Sequence, residues 1–250
     1  MQTFGLDAER FDVLALVEGN HFWFVARREL IIGLLRQYVP RKVPLLLDMG
    51  CGPGLNLCHW SEFADRVLGV DQHTSVSPAG QSAAQVDRSD IVNGDVTKLP
   101  FNSDSVNVAL LLDVLEHADD RKTLSEAFRV LRPGGALLLS VPAHAWLWGS
   151  RDIGASHLRR YSRRGLRATV EETGFEIETI RPYQFLLMPL VILSRLLSKV
   201  VTKTRDMEDQ PSYLVNGALK WINRMEVRAS LSFMAMPTGS SYTLVARKPE

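Results

Sequence analysis

The chain has 250 residues, of which 46% are hydrophobic and 23% charged, and these proportions are ordinary for a globular protein. The formal net charge is +1, so no strong positive field surrounds the chain and we expect no nucleic-acid partner. Two cysteines, Cys51 and Cys58, are too few for a disulfide scaffold and favour a reducing, cytoplasmic setting. The acidic residues Asp7, Glu9 and Asp12 argue against a secretory signal.

Apolar residues recur every three or four positions through residues 4–39, which predicts amphipathic helices. An aromatic cluster, His21-Phe22-Trp23-Phe24, lies within this pattern and is followed by Arg27 and Arg28. Two interpretations are open. The aromatic residues either hold helices together, or they form a lid over a ligand whose anionic group faces an arginine.

The stretch LLLDMGCGPG (45–54) joins an apolar run to three glycines at alternate positions. It predicts a buried strand, a tight turn and the start of a helix, with glycines because side chains would block a ligand from the backbone. The spacing is G-x-G-x-G, whereas pyrophosphate-binding turns have G-x-G-x-x-G. By itself, the turn also remains compatible with a nicotinamide-binding loop.

Strand and helix patterns alternate from residue 45 to residue 142. Such an alternation predicts an α/β, doubly wound, mostly parallel sheet with ligands at the carboxyl ends of its strands. The predicted strands are 45–48, 66–70, 90–93, 106–112 and 136–141, and the predicted helices are 55–63, 77–86 and 121–131.

Four aspartates, Asp48, Asp71, Asp95 and Asp113, close or follow the first four predicted strands. Any one of them could be a helix cap, but four around one glycine turn favour a ligand with several donor groups. Asp71 is suited to accept both hydroxyls of a ribose, while Asp95 and the backbone of Val96 would border a base. The set favours a nucleoside without phosphate.

Four stretches resemble class I S-adenosylmethionine-dependent methyltransferases and occur in that family's order and spacing. They are LLLDMGCGPG (45–54), VLGVDQHT (67–74), NGDVTKLPFNSDSVNVALLLDVLEHADD (93–120) and FRVLRPGGALLLSVP (128–142). The resemblance implies S-adenosylmethionine as cofactor and a seven-stranded sheet whose last strand is antiparallel, for which 241–247 is the natural candidate.

The resemblance also implies roles for individual residues. The methionine end of the cofactor would be held by Asp48 and the turn residues Gly50, Cys51 and Gly52. Asp71 and Gln72 would hold the ribose, Asp95 and Val96 the adenine, and Asp113 would approach the methionine amino group.

Two narrower likenesses bear on the acceptor. HFWFVARREL (21–30) together with AHAWLWGSRDIGASHLRRYSRRGL (143–166) resembles bacterial methyltransferases associated with glycan or lipid-linked biosynthesis, in which Trp23 and Arg27 would belong to the cofactor lid. The group Asp113, Glu116 and His117 is similar to ubiquinone-pathway O-methyltransferases, where such residues are associated with a divalent metal. This chain has aspartate at 113 where those enzymes have glutamate, so we assign no metal ligand.

Residues 142–161 are rich in aromatic and basic side chains. They either form a packed surface loop or line an acceptor pocket, with aromatic rings stacking on a ring and arginines meeting an anionic group. The candidates for proton transfer are side chains that can accept a proton from a hydroxyl acceptor, namely His117, His144, His157 and Tyr161.

Beyond residue 162, the pattern predicts a helix (162–173), a strand (175–180) and a long insertion with apolar residues at 185–193. This apolar run is too short to span a bilayer. It either packs over the acceptor pocket, lies on a membrane through residues 185–201, or forms a dimer interface. A second lid helix is predicted over 213–236.

The patterns together with the resemblance imply a single methyltransferase domain, 1–250. Its parts are a helical lid (1–40), a cofactor-binding core (41–181), a helical substrate cap (182–239) and a final strand (240–250). We expect transfer of a methyl group, preferably to oxygen, on a small-molecule or lipid-linked acceptor, in the cytoplasm or at the inner face of the membrane. The alternatives are a non-catalytic binding relative and a nicotinamide-dependent oxidoreductase.

Overall fold

The computed structural model of the protein describes residues 18–72, 90–200, 211–232 and 236–250, without the side chains of 196–200. The predicted helix at 77–86 and the first part of the predicted N-terminal helices lie outside the described residues. From the latter region the structure describes one helix, α1 (Phe22–Tyr38).

Seven strands form one sheet in the order β3-β2-β1-β4-β5-β7-β6. All neighbours are parallel except β7, which runs antiparallel to both β5 and β6, so the predicted fold class and the antiparallel last strand are confirmed. The strands are β1 (Val43–Met49), β2 (Ala64–Asp71), β3 (Ile91–Asn93), β4 (Val106–Leu112), β5 (Leu131–Pro142), β6 (Glu176–Tyr183) and β7 (Ser241–Arg247).

Helices cover both faces of this sheet. After α1 they are α2 (Leu57–Trp60), α3 (Asp120–Val130), α4 (Ser150–Gly154), α5 (Arg163–Glu171), α6 (Met188–Val200) and α7 (Tyr213–Leu231), and a 3₁₀ turn spans Ala145–Leu147. Two predicted bounds were wrong. The helix expected over 55–63 is a single turn, and the helix expected to reach residue 236 ends at Leu231.

The fifth strand also begins earlier than predicted, directly after α3. Pro133 and Gly134 were expected to separate helix from strand. Instead they lie in an irregularity of the ladder, where Val106 pairs with Leu131 and Val108 already pairs with Ala136. The extra residues bulge out of the strand, and Gly134 adopts a positive φ of 72° there.

Side chains alternate between two cores on opposite faces of the sheet. Leu46, Leu110 and Leu138 face the core formed with α1, whereas Leu47 and Leu111 face the core formed with α3 and α5. Since both faces are covered, the central strands read as nearly continuous apolar runs. Because the faces of the sheet are apolar, the polar side chains lie at the edge formed by the carboxyl ends of the strands.

Helices α1 and α7 pack against each other beside this edge. The side chain of Asn216 accepts a hydrogen bond from the backbone of Phe22 (2.8 Å) and donates one to the carbonyl of Asn20 (2.9 Å). Arg224 pairs with Glu29 at 2.8 Å. Within the described ranges, no helix is long and apolar enough to cross a membrane.

Candidate functional site

A cavity of about 1010 Å³ opens at the carboxyl ends of β1 to β4. These four strands are neighbours, so the residues that follow them meet at one edge of the sheet. All eleven predicted cofactor residues line the cavity: Trp23, Arg27, Asp48, Gly50, Cys51, Gly52, Asp71, Gln72, Asp95, Val96 and Asp113.

The glycine turn presents bare backbone to the cavity. Gly50 and Gly52 have φ values of +81° and +57°, in the left-handed region that glycine favours. A Cβ on Gly50 would lie 2.5 Å from the side chain of Val114, whereas a Cβ on Gly52 would meet no protein atom within 4 Å. Gly52 therefore borders open space, and its backbone N–H donates to Asp71 Oδ2 at 2.9 Å.

Asp48 is buried beneath the turn. Its Oδ2 accepts a hydrogen bond of 2.9 Å from the indole N–H of Trp60. Burial raises the pKa of Asp48 to about 7, although the bond from Trp60 and the charge of Arg27 oppose this. The carboxyl group therefore changes its protonation state near neutral pH.

Asp95 lies in a turn that its own side chain stabilises. Its Oδ1 accepts hydrogen bonds from the backbone N–H and the hydroxyl of Thr97, both at 2.7 Å. These bonds stabilise a turn, whereas the alternative considered for the strand-end aspartates was a helix cap. Asp95 nevertheless borders the cavity together with Val96.

Arg27 projects from α1 into the cavity wall, where it forms an ion pair with Asp113 and another of 3.6 Å with Glu18. Its guanidinium lies over the ring of Trp23, 4.8 Å from the centroid. Burial would lower the pKa of Arg27, but the carboxylates of Asp113 and Glu18 raise it above its ordinary value. The sequence predicted that Arg27 faces a ligand. In the structure it lines the cavity and also pairs with Asp113 and Glu18 of the protein itself.

Glu18 is a further residue of the site that no sequence pattern indicated. It is buried in the cavity wall, and its Oε1 accepts a hydrogen bond of 2.5 Å from the amide of Asn56. Burial raises the pKa of Glu18, against the opposing charge of Arg27. No motif contains either Glu18 or Asn56, so only the tertiary contact between the segment before α1 and the segment after the glycine turn reveals them.

Asp152 lines the same cavity and organises the segment that follows β5. His157 Nδ1 lies 2.9 Å from its Oδ1, and the same oxygen accepts from Arg160 Nε at 2.7 Å. Burial would raise the pKa of Asp152, but these hydrogen bonds and the charge of Arg160 hold it well below its usual range. Asp152 and Arg160 were part of a basic and aromatic stretch in the sequence, but their pairing was not predicted.

Glu116 and His117 lie where this segment meets the turn after β4. Glu116 is 1% exposed, and burial, together with the charge of Asp113, raises its pKa well above the usual range. The rings of His117 and His157 are 4.8 Å apart and nearly perpendicular. All three side chains line the cavity.

Two of the four predicted proton acceptors, His144 and Tyr161, do not line the cavity. His144 Nε2 lies 2.9 Å from the hydroxyl of Thr238, and burial and the charge of Arg160 lower its pKa. The Tyr161 hydroxyl donates to the carbonyl of Leu115 at 3.2 Å, and burial raises its pKa well above the usual range. Both side chains therefore make contacts within the protein, outside the cavity.

The aromatic residues of the same segment also lie elsewhere than expected. Trp146 and Trp148 do not line the cavity, and Trp146 is 60% exposed. Apolar surface reaches the cavity instead from the start of α6 and the residue before it, through Leu187, Leu190 and Val191. Of the three options for the insertion, packing over the pocket agrees with this arrangement.

Residues 47–139 match a protein family described as "Methyltransferase domain". Over 166 residues, the chain is 33% identical to a protein of Mycolicibacterium smegmatis named "Probable S-adenosylmethionine-dependent methyltransferase". This alignment covers 65% of the chain and 62% of that relative, so the chain spans less than two thirds of the relative's length.

Solved structures share the fold over most of the chain. One chain of the complex between the Haloferax volcanii Trm112 methyltransferase activator and its methyltransferase is 19% identical, with a TM-score of 0.61 and coverage of 96% of this chain and 98% of that one. Phosphoethanolamine N-methyltransferase 2 of Haemonchus contortus, in complex with S-adenosyl-L-methionine, is 19% identical with a TM-score of 0.57 and covers 89% of this chain and 52% of its own. At these identities the likeness concerns the fold.

Proposed function

We propose that the protein transfers a methyl group from S-adenosylmethionine to an acceptor bound in the same cavity. The match of residues 47–139 to a methyltransferase domain and the likeness to a relative named as an S-adenosylmethionine-dependent methyltransferase support this proposal. The observation that carries this proposal is the composition of one edge of the sheet. There, the bare backbone of the glycine turn and the carboxylates of Asp71, Asp95 and Asp113 border a single cavity.

The cofactor's groups match these side chains. Asp71 ends β2 and would accept the ribose hydroxyls, while Asp95 and the backbone of Val96 would bind the adenine. The methionine amino group would donate to Asp113, and the methionine carboxylate would pair with Arg27. Arg27 already touches Asp113, so one ligand that carries both charges can engage the pair together.

The reaction needs positioning more than acid–base chemistry. A nucleophilic atom of the acceptor attacks the methyl carbon in line with the carbon–sulfur bond, and the sulfur keeps the bonding electron pair. The products are the methylated acceptor and S-adenosylhomocysteine. A hydroxyl acceptor must also lose its proton, and His117 and His157 are the two predicted proton acceptors that line the cavity. Their position supports O-methylation.

The lining of the cavity also combines apolar and basic groups, namely Leu187, Leu190 and Val191 from the insertion and Arg151 and Arg160 from the segment after β5. This combination supports a small or lipid-linked acceptor with an anionic group. Exposed Leu186 and Leu193 support contact between residues 185–201 and a membrane surface, where such a lipid would reside. Sedimentation with anionic lipid vesicles tests this contact, and a protein that stays in the supernatant contradicts it.

The cofactor site is tested by calorimetry with S-adenosylhomocysteine and the variant Asp71→Ala. Loss of a carboxylate that accepts two hydroxyls should weaken binding by at least about tenfold, since hydrogen bonds to a charged group contribute about 1.5 to 3 kcal/mol. The matched control is Asp65→Ala, in the same strand, whose exposed side chain pairs with Lys42 at 3.5 Å on the outside of the protein. Equal affinity of the Asp71 variant and the wild type would refute the ribose assignment.

A further inference from the structure

Three side chains with metal-binding atoms converge in the wall of the cavity. Glu116 and His117 follow β4, and His157 lies between α4 and α5, about forty positions later in the chain. One potential ligand atom from each side chain lies within 4.8 Å of the other two. The cluster thus joins two loops that the sequence separates.

His157 is held as metal-binding histidines usually are. Its Nδ1 lies 2.9 Å from Asp152 Oδ1, so Nε2 is the nitrogen left for another partner. Asp152 is itself fixed, because its Oδ2 accepts from the backbone of Gly149 at 2.9 Å and its Oδ1 from Arg160 at 2.7 Å. A carboxylate behind a histidine in this way sets the ring orientation and the tautomer.

Glu116 supplies the second observation. Its side chain is 1% exposed and lines the cavity, and its Oε2 is buried without a hydrogen-bond partner among the described residues. A buried carboxylate oxygen without a partner is costly, and such an orphan in a folded protein calls for an unseen ligand. A cation between Glu116 and the two histidines would supply the missing partner.

Asp113 does not belong to this cluster, although it precedes Glu116 by only three positions in the sequence. Its Oδ2 forms the ion pair with Arg27. The structure therefore replaces the sequence group Asp113, Glu116 and His117 with a different one, in which the third ligand is His157.

We propose that Glu116, His117 and His157 bind a divalent transition-metal ion. Two imidazoles and one carboxylate suit Zn²⁺, Fe²⁺, Mn²⁺ or Co²⁺, whereas Mg²⁺ and Ca²⁺ prefer oxygen ligands. Bonds of about 2.1 Å would bring the ligand atoms to roughly 3 to 3.5 Å from one another. Since the atoms now lie within 4.8 Å, rotation of side chains that border open space can close the remaining gap.

An ion in this position would border the cavity in which we propose that the acceptor binds. When bound, it would supply Lewis acidity, which lowers the pKa of a coordinated hydroxyl. His117 and His157 would then act as ligands, and the acceptor's oxygen would bind the ion directly. This role rests on the proposed methyl transfer, whereas the ion binding itself does not.

Cobalt binding to the full-length protein tests the proposal, because Co²⁺ gives a visible absorption spectrum that depends on its ligands. We expect wild-type protein, stripped of metal with a chelator, to bind one Co²⁺ with a spectrum typical of nitrogen and oxygen ligands. His157→Ala and Glu116→Gln should each weaken this binding by at least about tenfold, in line with the loss of a ligand. His59→Ala should bind as the wild type does, since His59 is exposed on α2 and lies outside the cavity.

The result that overturns the proposal is a wild type without the Co²⁺ spectrum, or variants with unchanged affinity for Co²⁺. S-adenosylhomocysteine binding is measured on the same samples. If the variants bind it normally, their loss of Co²⁺ is not due to unfolding. If the wild type binds Co²⁺ but not S-adenosylhomocysteine, the metal site stands and the proposed function fails.

Discussion

Asp48 illustrates how burial alone can make a residue sensitive to pH. Its pKa is about 7 in the folded protein, against an ordinary value of 3.8, because the carboxyl group is buried under the glycine turn. The folded state therefore holds this proton more tightly than the unfolded chain does. It follows that the contribution of Asp48 to stability is greatest below about pH 4 and is lost as the pH rises through 7.

The variant Asp48→Asn should remove this pH dependence while keeping an oxygen for the indole of Trp60. A shift of about three pKa units corresponds to about 4 kcal/mol, so the variant should gain up to this amount over the wild type between pH 4 and pH 8. Denaturant unfolding at both pH values, without ligand, measures the gain. A difference between the two proteins that stays the same at both pH values would contradict the assignment.

A comparison of alanine variants at Gly52 and Gly134 can distinguish the cost of backbone strain from the effect of blocking the cavity. Both have positive φ values, +57° and +72°, and a Cβ on either would meet no atom within 4 Å. Only Gly52 lines the cavity. Both Gly52→Ala and Gly134→Ala should therefore destabilise the protein by about 1 to 2 kcal/mol.

Affinity for S-adenosylhomocysteine should distinguish these two variants. We expect Gly52→Ala to bind S-adenosylhomocysteine at least about tenfold more weakly, because the added methyl group would occupy space that the cofactor needs. A tenfold loss of affinity corresponds to about 1.4 kcal/mol. Gly134→Ala should bind with wild-type affinity. Calorimetry on both proteins measures this, and equal affinities would show that the glycine turn does not contact the cofactor.

At the level of elements, the contact between α1 and α7 includes an asparagine that bonds with the backbone, besides the ion pair of Arg224 with Glu29. Asn216 on α7 bonds with two backbone groups at the start of α1, the N–H of Phe22 and the carbonyl of Asn20. Asn223, two turns further along the same helix, is fully buried, and neither of its side-chain polar atoms has a partner in the described part of the chain. The same helix thus holds one satisfied and one unsatisfied amide.

This difference predicts opposite results for two substitutions. Asn216→Ala leaves two backbone groups without partners and should cost about 1 to 3 kcal/mol of unfolding free energy. Asn223→Leu removes an unsatisfied amide from a buried position and introduces a side chain of similar size, so it should be neutral or stabilising. Thermal and denaturant unfolding of the two variants decide the matter. If Asn223→Leu destabilises the protein as much as Asn216→Ala does, Asn223 has an unrecognised partner.

At the level of the whole molecule, the cavity lies between the sheet edge, α1 and the start of α6. A ligand that touches all three elements binds only the folded protein and therefore stabilises it. S-adenosylhomocysteine at about one hundred times its Kd should raise the unfolding free energy by about 2.7 kcal/mol.

A thermal-shift comparison of S-adenosylhomocysteine with NADH separates the proposed function from the oxidoreductase alternative. We expect a clear rise in Tm with the former and none with the latter. The Asp71→Ala protein should show a smaller rise with S-adenosylhomocysteine than the wild type does, and none with NADH. A shift caused by NADH alone would favour the alternative.

Much of the core could be predicted from the sequence, because apolar strands, glycine turns and helix caps are local signals. The chain positions of Asp71, Asp95 and Asp113 relative to their strands already indicated that they would share one edge. The bounds of β5 could not be predicted, since Pro133 and Gly134 lie in a bulge that depends on pairing with β4. Local propensity for a turn was overruled there by the sheet.

The sequence by itself determined the strand–helix alternation, the glycine turn and the acids at the carboxyl ends of the strands, since each depends on near neighbours in the chain. Only the tertiary structure decided how distant segments meet. In the folded protein, Glu18 pairs with Arg27, Asp152 bonds with His157, and His144 lies outside the cavity. These contacts join residues from different loops, and their geometry follows from packing around the sheet, which local patterns do not encode.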